Sequence, residues 1–178
     1  MNHKIFEIRR LGSALLAGSI AIILNTLALK AADLISLPTA HGGLLHLIAY
    51  GFSGVLQQSG ISSVWIQMGA PAPNSPTFQV GFHIFVGLVM SIFYAFVLEP
   101  LMPWRATVKG LAYAIGLWLI NAIIILPLTG EGFAGMANLS VAGILWFAAA
   151  HTLFYMMLAY GFELLEQRQS SNVVANFR

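Results

Sequence analysis

Cysteine is absent from this 178-residue chain, which excludes disulfides, thiolate metal ligands and cysteine nucleophiles together. Charge is scarce as well. Lys, Arg, Asp and Glu make up 8% of the residues against 58% hydrophobic, whereas a soluble globular domain carries about 25% charged and about 45–50% apolar residues. No Asp, Glu, Lys or Arg occurs between Arg10 and Lys30, between Asp33 and Glu99, between Lys109 and Glu131, or between Glu131 and Glu163. With a mean hydropathy of +0.83, uncharged runs of this length imply helices that use the bilayer as solvent.

Catalytic signatures are missing too. The chain has no nucleophile elbow, phosphate-binding loop, HExxH or carboxylate cluster, and no enzymatic activity is expected of it. Although the calculated pI is about 9.2, the basic residues are scattered in ones and twos, so a nucleic-acid partner is not expected. The N-terminal "MNHKIFEIRR" has the charge pattern of a signal peptide. The apolar run behind it exceeds the roughly 7–15 residues of a cleavable core, so it reads as an uncleaved first span.

A helix needs about 20 apolar residues to cross the bilayer core. Four stretches qualify, at about 11–35, 80–101, 109–128 and 139–164, each bounded by Pro or Gly. The expected fold is an all-α integral membrane protein, a four-helix transmembrane bundle forming one domain over 1–178. A fifth apolar stretch, about 43–58, is too short to span. With His46, Ser53 and Gln57 about one and two turns apart, it reads as a short periplasmic helix, interfacial or re-entrant, between the first two spans. Four spans place Lys4, Arg9, Arg10, Arg105, Lys109, Arg168 and Arg178 on one side and Lys30 alone on the other. By the positive-inside rule both termini are cytoplasmic, and 36–79, with its Pro-rich "MGAPAPNSPTF" and the interfacial Trp65, lies outside.

Small residues recur at Gly12, Ala14, Ala17, Gly18 and Ala21 in the first span and at Gly87, Ser91 and Ala95 in the second. This is the spacing that brings helix backbones close. Gly18, Gly87, Ser91 and Ala95 are therefore expected to pack helices, either within the chain or in a homo-oligomer.

Polar residues within the spans are the candidate site, because ionisable groups in a membrane usually face the bundle interior or a hydrated cavity. At 1.5 Å rise per residue, His83 lies roughly 5 Å from the outer end of its span, Asn121 roughly 10 Å and Asn25 roughly 15 Å, with His151 and Ser91 at roughly 16–18 Å. These five residues would line a vestibule descending from the periplasmic face. Alternatively, His151 is packing glue, donating to Tyr155 one turn along its own span or to Ser91 on a neighbouring helix. Two histidines on opposed helices can hold a haem, but a depth difference of roughly 12–14 Å argues against His83 and His151 sharing one. His41, His46 and His83 lie nearer in depth, yet their spacing matches no standard metal pattern, so no cofactor is expected. Glu99 and Glu163, near the cytoplasmic ends, read as solvated helix-end carboxylates with Arg105 or Arg168 within reach.

His83, the helix end "VLEPLMP", Gly110, "PLTG" at 127–130 and His151 together resemble the YagU-like group of small bacterial inner-membrane proteins. The similarity covers roughly 79–163 and is weaker over 36–79. The resemblance implies a four-helix inner-membrane protein with His83, Glu99, Pro127, Gly130 and His151 as shared positions; it implies no substrate or mechanism. The functional expectation is thus a non-enzymatic protein of the bacterial inner membrane whose vestibule handles protons or a small solute. The alternative is an accessory subunit of a larger membrane complex, and a redox-cofactor protein comes third. Besides the lipid bilayer, the expected partners are copies of itself or the subunits of such a complex.

Overall fold

The computed structural model describes residues 3–39 and 75–175, with 44, 45, 48 and 67 between them. Four long helices dominate: α1 (His3–Leu34), α2 (Pro76–Leu101), α3 (Ala106–Leu128) and α4 (Val141–Ala175). All four are long and apolar enough to cross a membrane, and no strand occurs among the described residues. The expected short helix at 43–58 lies outside the described residues, as do His41 and His46; only Leu44, Leu45 and Ile48 of that stretch are described.

The helices start and stop differently from the apolar runs. Thus α1 begins at His3 rather than 11, α2 at Pro76 rather than 80 and α3 at Ala106 rather than 109, while α4 extends to Ala175 rather than 164. A hydropathy run ends at its first charge, but backbone hydrogen bonding continues through charged turns. The start of α2 has its own signal: Ser75 caps the helix, its Oγ accepting from Phe78 N at 3.3 Å, with Pro76 in the first turn.

Helices α1 and α4 pack antiparallel, with α2 against α1 and α3 against α4. The start of α1 and the end of α4 therefore lie at one end of the bundle, the terminal end. The opposite end, where α1 leads into 35–75, is the loop end. The side-chain distribution reverses that of a soluble helix. On α1, Leu16, Ile20, Ile23 and Leu27 recur at helical spacing and are exposed, whereas Ala14, Ala17, Ala21 and Asn25 are buried. Large apolar side chains so displayed would form an aggregating patch in water but suit acyl chains. Small ones allow the close approach that drives helix association in lipid.

At those contacts the fit leaves no room for a larger residue. A Cβ on Gly18 would stand 2.2 Å from Ser91 Oγ, and one on Gly87 would stand 2.6 Å from the Ile22 side chain. On the other side of α1, a Cβ on Gly161 would meet Ala17 at 3.2 Å. The small residues of α1 and α2 thus meet each other within one chain, and Ser91 Oγ donates to its own-helix carbonyl of Gly87 at 2.7 Å.

Two proline-linked irregularities mark α2 and α3. In α2, Glu99 N donates to Tyr94 O, five residues back, within a π-turn over Tyr94–Leu98. Ala95 O is passed over, and the next nitrogen belongs to Pro100, which has no hydrogen. The same happens in α3, where Leu126 N donates to Asn121 O in a π-turn over Asn121–Ile125 and Pro127 follows. Ala95 O and Ala122 O are thus left without an i+4 or i+5 helical donor.

Overpacking a tight helix contact costs about 1–3 kcal/mol, whereas changes at open positions stay within about 0.5 kcal/mol. Gly18→Val is therefore expected to destabilise the protein by about 1–3 kcal/mol in reversible unfolding from mixed micelles. Gly12→Val, where a Cβ meets nothing within 4 Å, is expected to leave stability nearly unchanged.

Candidate functional site

Polar side chains gather at two levels of the bundle. At the terminal end, Arg10 of α1 directs Nε and Nη2 at the orphaned Ala95 carbonyl, at 2.9 and 2.6 Å. Its Nη2 also contacts Glu99 Oε2. Lys109 of α3 donates to the other oxygen of Glu99 at 2.7 Å, and Glu166 of α4 lies 3.9 Å from Arg10 Nη1. Ser13 bonds Glu166 at 2.8 Å and accepts from Gln169 at 2.9 Å. The Arg10 guanidinium also lies over the Phe162 ring, 5.1 Å from its centroid.

This network corrects the expectation of a solvated Glu99. Glu99 is paired with Arg10 and Lys109 rather than with the exposed Arg105. Glu163 accepts from Gln167 Nε2 at 3.2 Å, while the cluster's second acid is Glu166, one turn nearer the C-terminus. A carboxylate facing helix interfaces is held by cations that can reach it across a gap, and Arg10 and Lys109 reach inward from neighbouring helices. The signal for this is Pro100: a proline after an apolar run orphans a carbonyl, and a nearby arginine supplies the missing donors.

The second gathering lies toward the loop end. A cavity of about 480 Å³ is lined by all four helices, from Ile22, Met90, Leu117 and Tyr155 in the middle of the bundle to the exposed Lys30 and Asp33 at its rim. Asn25, His83, Asn121 and His151 all line it, as do Leu44 and Leu45. Ser91 does not; it packs between α1 and α2 against Gly18. Toward the terminal end the interior is filled by aromatic rings, with Tyr113 4.4 Å from Tyr155, 5.9 Å from Tyr94, and Tyr94 5.8 Å from Phe162.

Asn25 is the hub. It is 1% exposed; its Nδ2 donates to Ala150 O of α4 at 2.8 Å, and its Oδ1 lies 2.7 Å from His83 Nε2 of α2. One buried amide thus joins three helices. His151 Nδ1 donates to Phe147 O, one turn back on its own helix, at 2.8 Å. Asn121 Nδ2 likewise donates to Leu117 O at 3.2 Å. The expected packing bond from His151 to Tyr155 or Ser91 is therefore not made, and His151 makes no hydrogen bond to another helix among the described residues.

The rings of His83 and His151 are neighbours, with centroids 6.3 Å apart and planes at 78°. This overturns the separation of roughly 12–14 Å inferred from residue counts. Counting from the ends of the apolar runs misplaces the helix origins, since α2 begins at Pro76 and α4 at Val141, and packed helices do not present equal rises at equal depths. Depth therefore does not prevent the two histidines from sharing a ligand. Among the described residues no group of three or more His, Asp or Glu side chains is placed to hold a metal ion. No family model, curated protein or solved structure matches the chain.

Two measurements check this geometry. Hydrogen bonds to charged groups contribute about 1.5–3 kcal/mol, and lysine lacks the fork that holds Ala95 O and Glu99 together. Arg10→Lys is accordingly expected to destabilise by about 1.5–3 kcal/mol in micellar unfolding, despite its retained charge. Because the chain has no cysteine, single thiols report accessibility without background. Asn121→Cys, on the cavity wall, is expected to react with a membrane-impermeant methanethiosulfonate in proteoliposomes, and Ile123→Cys, exposed on the outer face of α3, is expected to stay unmodified.

Proposed function

We propose that this chain is a non-enzymatic membrane protein whose loop-end cavity admits protons or a small polar solute from one aqueous side. The observation that supports this most directly is the pairing of His83 and His151 in a cavity shared by four helices, each ring held by one nitrogen and, among the described residues, free at the other. Retaining ionisable groups in an apolar bundle is costly, and they commonly serve ion or proton pathways. The aromatic layer beneath them favours a vestibule over an open pore. The charge asymmetry between the two ends favours cytoplasmic termini and a periplasm-facing cavity in a bacterial inner membrane, in keeping with the resemblance to YagU-like proteins.

The test is flux in proteoliposomes carrying an internal pH dye. A pH gradient is expected to dissipate faster with the protein than without it, and His151→Ala is expected to slow that dissipation toward the protein-free rate. Flux that His151→Ala leaves unchanged would overturn the reading.

A further inference from the structure

The protonation pattern of the two histidines follows from their partners. A backbone carbonyl only accepts, so the Asn25 atom 2.8 Å from Ala150 O is the amide nitrogen, and the amide oxygen faces His83. That oxygen also only accepts, so His83 Nε2, at 2.7 Å, carries the hydrogen. For the same reason His151 Nδ1, 2.8 Å from Phe147 O, carries one. A neutral imidazole has a single N–H and a single lone pair. The lone pairs therefore sit on His83 Nδ1 and His151 Nε2, and neither atom has a hydrogen-bond partner among the described residues.

This is the arrangement of metal-ligating histidines, which donate the far N–H to an oxygen acceptor that fixes the tautomer and ring orientation. We propose that the cavity binds a divalent cation of the imidazole-preferring kind, Zn²⁺ or an ion of like chemistry, through His83 Nδ1 and His151 Nε2. The proposal rests on the reading of the cavity as open to water. With metal–nitrogen bonds of about 2.0–2.1 Å, two imidazoles on one ion have centroids at most about 6.5 Å apart, and about 5 Å apart at a tetrahedral angle. The 6.3 Å seen here lies within that limit, near its wide end, so a tetrahedral ion would draw the two rings about 1 Å closer together. Asn121 lines the same cavity, and its amide oxygen, left unused by the bond from Nδ2 to Leu117 O, would with water complete the set.

The donor set also selects the ion. Two imidazoles suit zinc, copper and nickel, whereas Mg²⁺ and Ca²⁺ take oxygen ligands. No carboxylate lines the inner part of the cavity among the described residues, and at the rim Asp33 is accompanied by Lys30. A cation held by neutral ligands keeps its full charge in a low-dielectric site, so it binds less tightly than at a thiolate site and remains exchangeable. Such an ion is a passing solute rather than a structural staple.

The experiment uses the full chain in lipid nanodiscs with His3, His41 and His46 all changed to Ala. Of the five histidines, only His83 and His151 then remain. Equilibrium dialysis is expected to show one saturable Zn²⁺ per chain that excess Mg²⁺ does not displace. His83→Gln or His151→Gln should each weaken it by more than tenfold, and Asn25→Leu, which removes the outer partner of His83 together with the link to Ala150 O, by about 10–100-fold. Imidazole ¹⁵N spectra supply a readout that needs no site variant: on adding Zn²⁺, the His83 Nδ1 and His151 Nε2 resonances should shift together. No saturable Zn²⁺, Zn²⁺ retained after either glutamine substitution, or unshifted ¹⁵N resonances would each overturn the proposal. If such a failure comes with Asn121→Cys still modified by the aqueous reagent, the metal site alone is overturned; an unmodified thiol overturns the open cavity as well.

Discussion

Four charged side chains, one from each helix, hold the bundle together at its terminal end: Arg10, Glu99, Lys109 and Glu166. Their meeting originates in the backbone. Pro100 lacks the hydrogen that Ala95 O needs, and in a bilayer no water replaces it at small cost. Arg10 supplies two donors to that oxygen and draws in Glu99. Lys109, only 9% exposed, then balances the carboxylate from α3. Breaking one member leaves another charge partly buried and unpaired, which costs far more than an exposed ion pair contributes.

Fixing one end of four antiparallel helices leaves their separation at the other end to be set by what lies between them. The side chains of Tyr94, Tyr113, Tyr155 and Phe162 form a thick layer above the charges. Tyr113 OH reaches the Met90 carbonyl at 3.2 Å across the gap between α3 and α2. Beyond that layer the direct links are fewer and come chiefly from α1, through Asn25 to α2 and α4 and through the Ala28 carbonyl to Trp146 Nε1 at 2.8 Å. The cavity occupies the space that these links leave open.

The spans are legible in the sequence because charge is excluded from lipid, and an uncharged apolar run of about 20 residues matches the thickness of the bilayer core. Their ends are less so. Hydropathy does not see a capping serine such as Ser75, nor the continuation of α1 through Arg9 and Arg10. That Asn25, His83, Asn121 and His151 share one cavity follows from their rarity in apolar helices; their mutual distances do not. Counting residues sets the histidines far apart because depth is then measured from the ends of apolar runs, and those ends are not helix ends. The terminal cluster escapes for a different reason. Arg10, Lys109 and Glu166 stand at the margins of their spans, where solvated charge is the ordinary outcome, and only the carbonyl freed by Pro100 shows that Arg10 turns inward.

The two ends treat the same backbone irregularity differently. Ala95 O, orphaned by a π-turn and Pro100, is filled by Arg10. Ala122 O, orphaned in the same way by a π-turn and Pro127, receives no side-chain donor among the described residues. On the cavity wall His83 Nδ1, His151 Nε2 and Asn121 Oδ1 also keep unused acceptor capacity. Packing alone would favour apolar residues there, since a half-satisfied polar group costs more than none. Among the described residues of the inner cavity the spare capacity is mainly that of acceptors, with the Tyr155 hydroxyl and the second Asn121 amide hydrogen as donors. A space so lined offers more hydrogen-bond acceptors than donors, which is the reverse of what a buried anion requires.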